Sequence, residues 1–452
     1  MLISKIIKMK IFKTSIHKVH IALLAVLLVG LTSCSFDEQT DPNGPSLEGI
    51  LTGASINQLN NLVVGIESTM RNSLGVQTVA SGSAARELYI FDADPRNTAN
   101  VLGKNGSSLE NSDFYSTAAW AGRYRAIKNA NILLQSIGNT TTISTEQSNG
   151  YAGFAKTVIA FELIEVLKSY GQARVDVADD LNLGPILNFN EAIAEVRAML
   201  DDGLSNLNSA GTSFVFNLAG FDGFDTPSSF AEFNRATAAI AALYAGDKGA
   251  ARTALSGSYL DLSGSLTNGP KHVFSQRSGD ATNPVYKGPS GDTAETANNG
   301  DQIIIQNSWI TDAEDGDTRV SSKAAVRILP TGQDDLNGTH ETRLYASNIS
   351  SIDLSRNEEL VLVYAEAQIG SDNNEAVAAL NVIRNAAGLP DYGGATDDGS
   401  LVTEMLNQRR YSLWSENHRM FDLRRYSLSD TLPIDRVGDI VYNVFPVPLT
   451  DL

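Results

Sequence analysis

FYSTAAWAGRYRAIKNANILLQSI, Phe114–Ile137, is the stretch that decides the fold. Trp120, Tyr124, Ile127, Asn131 and Leu134 recur at steps of three and four, which lays them along one face of an α-helix. That stripe is apolar but for Asn131. Polar residues Thr140–Asn149 interrupt it. A second helix is then predicted over Tyr151–Tyr170, closed by Gly171, the residue type that ends helices in the left-handed conformation. Two long helices with a short polar link make an αα-hairpin.

The pattern repeats outward from this pair. Upstream, Leu47–Leu74 reads as helical, with Leu51, Ile56, Leu59, Leu62, Val63 and Ile66 in step. Downstream come an amphipathic helix over Asn190–Leu207, a small-residue helix over Ser229–Tyr244 and a short one over Gly249–Leu255. Near the C-terminus, Glu358–Ile369 and Asn373–Ala387 form a third pair, and Leu401–Trp414 runs on into Met420–Arg425. Helix pairs recurring about every 34–45 residues are the signature of helical repeat arrays. Two segments break the pattern. Ala85–Asn100, ARELYIFDADPRNTAN, reads as a loop-rich excursion, and Ser256–Ser355 is rich in Gly, Asn, Asp, Ser and Thr. In the latter only Ile303–Gln306 looks like a strand. A long aperiodic stretch on a rigid scaffold is where binding residues concentrate.

The N-terminus carries a different signal. Lys5, Lys8, Lys10, Lys13 and Lys18 precede IALLAVLLVGLTSC, Ile21–Cys34. The apolar run is too short for a permanent span of roughly 20 residues. A basic region, an apolar core and small residues before a cysteine describe a lipoprotein signal peptide, residues 1–33, with Cys34 as the lipidated residue. The signal reads equally from Met1 or Met9. Cys34 is the only cysteine, so no internal disulfide is available. Residues 34–46 read as a polar, turn-rich flexible tether, in which Asp37-Glu38 resembles a surface-export signal and reads equally as part of an ordinary solvated linker. No second apolar run approaches spanning length.

The net charge is −18, and removing the lysine-rich leader makes the chain more acidic still. Such a surface repels phosphate backbones, which argues against nucleic acid as a partner.

Several segments resemble the SusD/RagB family of outer-membrane nutrient-binding lipoproteins. Phe114–Ile137 is similar to the family's first long helix, and FAKTVIAFELIEVLKSYG, Phe154–Gly171, to the helix paired with it. RNEELVLVYAEAQIG…AVAALNVIRNAAGLP, Arg356–Pro390, resembles its glutamate-led "LxxAEA…LNxIRxxAGL" run. QRRYSLWSENHRMFDLRRY, Gln408–Tyr426, is similar to its "RRxEL..EGxRxxDLRR" helix, and VFPVPLTDL, Val444–Leu452, to its closing Pro-x-Pro. The chain departs from the pattern at Ala173–Leu187, where only Gly184-Pro185-Ile186-Leu187 echoes the family wording, and in stopping soon after Pro448.

The resemblance implies a mainly α fold: a tetratricopeptide-like helix-pair superhelix with an irregular, loop-rich ligand-binding half. Residues 47–452 would form one body, with helical repeats mainly at 109–255 and 356–426 and the irregular part mainly at 75–108 and 256–355. It further implies a glycan ligand or, less often, a peptide, a SusC-like TonB-dependent transporter as partner, anchorage to outer-membrane lipid through Cys34, exposure at the cell surface and no enzymatic activity.

Residue chemistry supports no cofactor or metal. His272, His340 and His418 lie far apart, and no HExxH, P-loop or G-x-S-x-G occurs. Asp312–Asp317, DAEDGD, lacks the alternation of a calcium loop and reads as a solvated turn. Arg409, Arg410, Glu416, Arg419, Asp422, Arg424 and Arg425 alternate in sign, which predicts an ion-pair network. Its expected pairs are Glu416–Arg419 and Arg419–Asp422 at helical spacing.

Sugar rings stack their apolar faces on aromatic side chains while polar forks take the hydroxyls. Aromatics stranded in polar loops are therefore the candidate ligand contacts: Tyr89 and Phe91 beside Arg86 and Asp94, Tyr286 after Asn283-Pro284, and Trp309 in the irregular half. Trp120 and Trp414 read as core. Two rivals remain on the residues alone. A surface glycoside hydrolase needs two facing carboxylates, and a helical-repeat adaptor needs only a protein-binding face.

Overall fold

Fourteen α-helices organise the described residues of the computed structural model, which are 47–289 and 302–451. The signal peptide, the lipidation expectation at Cys34 and the tether lie outside them. Among the described residues no helix is long and apolar enough to cross a membrane.

A short helix α1, Leu47–Gly53, opens the described chain, and Leu51–Leu452 forms one unit. α2, Ile56–Met70, buries Leu59, Val63, Ile66 and Met70 on one face. It starts at a capping box in which Ser55 and Gln58 satisfy each other's backbone amides. α3 follows at Leu74–Ala84, inside the segment expected to be irregular. α4 and α5, Phe114–Gly138 and Thr145–Tyr170, are the hairpin read from sequence. The polar break is shorter than expected: Ser144 and Gln147 form a capping box, so Thr145–Asn149 is the polar first turn of α5. Gly171 ends α5 at φ 69°.

α6, α7 and α8 occupy Phe189–Asn208, Pro227–Tyr244 and Lys248–Leu255. Each packs on its predecessor, from α4 through α8. After the irregular insertion, α11, Asn357–Gln368, packs back on α8. α12 and α13, Asn373–Ala386 and Asp398–Ser412, complete the array. The insertion therefore bulges out of a continuous helical stack. Gly153 permits a close approach in it, since a Cβ there would meet Leu207 at 2.6 Å.

Between α8 and α11 the chain forms more sheet than the sequence suggests. α9, Asn307–Thr311, and α10, Thr318–Lys323, are single short helices. β1, Leu88–Phe91, β5, Gln302–Ile305, β6, Ala324–Gln333, and β7, Leu336–Thr342, form an antiparallel sheet in the order β1-β5-β7-β6. Two pairs lie apart from it: β2, Gln172–Arg174, with β3, Ile186–Asn188, and β4, Lys271–His272, with β8, Ile352–Asp353. The four-residue run Leu88–Phe91 is buried on both faces, so it shows no alternation. β6 carries Pro330 and a register irregularity between Val326 and Thr331, which hides its period.

Three cores result. One joins α11, α12 and α13 through Val361, Leu380, Ile383 and Met405. A second lies under the sheet, with Ile303, Ile305, Trp309, Tyr411 and Trp414. A third, Tyr89, Phe91, Leu102, Ile304 and Leu336, covers the sheet's other face. Each such side chain contributes roughly 1.5–3 kcal/mol of burial.

The C-terminal charges do form a network, with different partners from those expected. Arg409 meets Asp422 at 2.6 Å with both side chains buried, and Arg425 reaches Asp422 at 3.0 Å and also binds Glu366. Glu416 pairs with Arg356 rather than Arg419. The reason is local. α14 begins only at Arg419, and Ser415 and Asn417 adopt positive φ, so Glu416 is off the helix, while Asp422 is taken by Arg409 and Arg425. The acidic turn at Asp312–Asp317 diverges into separate pairs: Asp312 with Arg410, Glu314 with Arg384 and Asp317 with Arg319.

Candidate functional site

Most of the aromatics expected at a ligand surface point inward. Trp309 is 0% exposed, wedged against Tyr411 and Trp414 at ring separations of 5.2 and 5.4 Å, and its Nε1 donates to the Arg410 carbonyl at 3.3 Å. Tyr89 is buried, stacks on Phe91, and donates its hydroxyl to Asp435 at 2.5 Å. Arg86, at φ 55°, spends its guanidinium on the carbonyls of Ser83, Ala84, Leu102 and Ile440. These four side chains brace the sheet and leave no face for a sugar. Asp94 caps a short turn and holds Arg96, whose guanidinium lies 4.9 Å from the half-exposed Phe114 ring. Tyr286 is half-buried. The six candidates therefore do not converge on one site.

Two open grooves flank the β4–β8 ladder instead. The first, about 630 Å³, is walled by α10, β8 and the start of α11. Its charges are already saturated. Arg356 donates to Glu358 at 2.9 Å and to the Ser412 carbonyl at 2.8 Å, and also holds Glu416. Lys323 donates to the Tyr411 and Ser412 carbonyls at 2.7 and 2.6 Å, and burial pulls its pKa down to about 8. Burial would raise Glu358, but Arg356 and Lys323 outweigh it and hold the carboxyl below its usual value.

The second groove, about 670 Å³, lies between α2, residues 217–221 and residues 271–280. Its apolar surface comes from Val64, Leu218, Val273 and Phe274. Arg71, at the end of α2, lies over the Phe274 ring at 5.7 Å, donates to the Val273 carbonyl at 2.7 Å and pairs with Asp280 at 2.8 Å. Asp280 also accepts from Ser275 at 2.6 Å, and this bond, with that from the Ala281 amide, holds its pKa at about 2. Glu67 accepts from the Ala219 and Gly220 amides at 2.9 and 3.3 Å, yet burial raises its pKa above the usual value. Gly220 fits where no other residue would. Its carbonyl accepts from the Lys271 amide at 2.8 Å, and a Cβ would sit 1.9 Å from the Lys271 carbonyl oxygen.

The grooves differ in what remains open. Among the described residues, the Arg277 guanidinium and the Asn217 amide, both exposed on the second groove, have no partner. Sugar hydroxyls need such forks, because they replace water only on groups whose hydrogen-bonding capacity is unspent. Sequence pattern gave no signal for either residue, since single polar residues in FVFNL and SQRSGD look like any loop. Behind both grooves lies a polar cavity of about 60 Å³. In its wall Arg123, which the helix periodicity did not place in the core, donates to Glu162 at 3.0 Å and Gln77 at 2.7 Å.

Comparison with known proteins follows the fold. Residues 332–442 match the family model described as SusD family. Among curated proteins, none matches this sequence. A SusD superfamily protein from Bacteroides vulgatus superposes with a TM-score of 0.64 at 16% identity, covering 87% of this chain and 96% of that one. Surface glycan-binding protein A from Bacteroides thetaiotaomicron gives 0.69 at 12% identity, with 88% and 96% covered. A laminarin-binding SusD-like protein gives 0.59 at 15%, with 88% and 97% covered.

Proposed function

We propose that this chain, which carries a SusD family segment at residues 332–442 on a SusD-superfamily fold, is a cell-surface glycan-binding lipoprotein. It would be anchored through Cys34 and would pass its ligand to a SusC-like TonB-dependent transporter. One observation carries the binding reading: the groove beside α2 combines an exposed apolar wall, Val64 and Val273, with the unspent amide of Asn217 and guanidinium of Arg277. Apolar sugar faces and hydroxyls find both of their partners there. The relatives named as glycan-binding and laminarin-binding support the same class of ligand. The leader and cysteine of residues 1–34 support the anchor, and the family resemblance supports the transporter.

A second reading, glycoside hydrolysis, has one observation in its favour. Glu67 and Asp280 line the same groove with their pKa values pushed apart, as an acid and a nucleophile require. Against it, Glu67 turns Oε1 onto two backbone amides, and Asp280 is held by Arg71 and Ser275. Both carboxyls are committed to the fold.

Incubating the purified protein with a panel of oligosaccharides separates the readings. Binding without new reducing ends is expected. Val64 is 58% exposed on the groove, so Val64→Trp should block binding while leaving the melting temperature unchanged. Release of reducing ends would establish the hydrolase. A Val64→Trp variant that binds as the parent does would remove the groove from the account.

A further inference from the structure

The second groove does not share the acidic excess of the whole chain. The protein carries 52 acidic against 34 basic residues. In the groove, Arg71 is neutralised by Asp280 at 2.8 Å, and Lys271 by Asp353 across the β4–β8 ladder. Glu67 faces two backbone amides. Arg277 has no counter-charge among the described residues and stands exposed at the lip.

On an acidic protein the long-range field does not draw anions in, so an unpaired guanidinium gains an anionic ligand only at contact. There its planar fork matches a carboxylate through two parallel hydrogen bonds. A doubly charged phosphate monoester would meet more repulsion, from Glu67 nearby and from the surface as a whole.

We propose that the groove selects sugars bearing a carboxylate, with Arg277 taking the carboxylate and Asn217 a neighbouring hydroxyl. This rests on the glycan-binding reading above and names the substrate class for the same groove. Arg277 is then a specificity-determining residue, and the ligand class is a uronic-acid oligosaccharide. The singly charged fork also sets an expected salt response. A contact between unlike charges at an exposed lip weakens as ionic strength rises, whereas stacking and hydroxyl contacts do not.

The test is calorimetric titration of the protein with a galacturonic-acid oligosaccharide and with the galactose oligosaccharide of equal length, at low and high salt. The acidic sugar should bind at least tenfold tighter at low salt, and the difference should shrink at high salt. Arg277→Gln should abolish the preference while leaving the melting temperature unchanged, because the guanidinium has no partner among the described residues. Arg277→Lys, with charge but no fork, should retain part of it. Equal affinity for the two sugars, or an Arg277→Gln variant that still prefers the acidic one, overturns the assignment and leaves the glycan-binding reading standing. If neither these sugars nor any of the wider panel binds, that reading and this one fall together.

Discussion

Replacing Trp309 with alanine should destabilise the fold rather than remove a ligand contact. The indole is fully buried between Tyr411 and Trp414. Large-to-small changes of this kind cost about 3–5 kcal/mol, because the rings around the site cannot collapse to fill the space. The hydrogen bond to the Arg410 carbonyl, long at 3.3 Å, adds no more than about 1 kcal/mol. The expected total is therefore about 4 kcal/mol, a large share of the stability of an ordinary domain. Guanidinium denaturation followed by far-UV circular dichroism measures it as a lowered midpoint at unchanged slope. At a denaturant concentration where the variant remains folded, it should still bind glycan. A midpoint shift equivalent to less than about 1 kcal/mol, together with lost binding, would refute the reasoning and return Trp309 to the ligand surface.

Acid should weaken the fold through His272, whose pKa is lowered to about 3 by burial and by the nearby Arg123 and Arg71 guanidinium groups. Its contribution is fully present above the unfolded value of 6.5 and is lost as pH falls from there towards 3, since only the unfolded chain takes up the proton. At pH 5 the loss is about 2 kcal/mol, and His272→Gln should flatten the melting temperature between pH 7 and 5. Arg409 is buried against Asp422 at 2.6 Å. Arg409→Met should cost about 3 kcal/mol by stranding part of that carboxylate, and the double change with Asp422→Leu should cost less than the two single changes summed, read from denaturation midpoints. Gly220→Ala should lower the melting temperature and loosen the second groove, because the added Cβ collides with the Lys271 carbonyl. Equal melting temperatures would show that residues 217–221 can move aside.

The helical stack was legible because its signals are local. Periodic apolar residues marked α4, α6 and α11 to within a few residues, and Gly171 marked the end of α5. Polar first turns were not legible, since Thr145–Asn149 looks like loop until Ser144 is recognised as a cap. The sheet escaped because its strands are short, buried on both faces or interrupted. Tyr89, Phe91 and Trp309 were misplaced for a related reason. Their polar neighbours suggested an exposed loop, whereas long-range pairing of Leu88–Phe91 with Gln302–Ile305 turned the aromatics inward. The groove depends on residues 64–71, 217–221 and 271–280 meeting across the fold, and no sequence period encodes such a meeting.

A crystal structure of the protein with a bound oligosaccharide would test the central claim most directly. The account places a sugar ring against the exposed apolar wall at Val64 and Val273, with hydroxyls on Asn217 and a charged or polar substituent on Arg277. A sugar seated instead around Asp94 and Tyr286, or in the groove lined by Lys323 and Arg356, would contradict it.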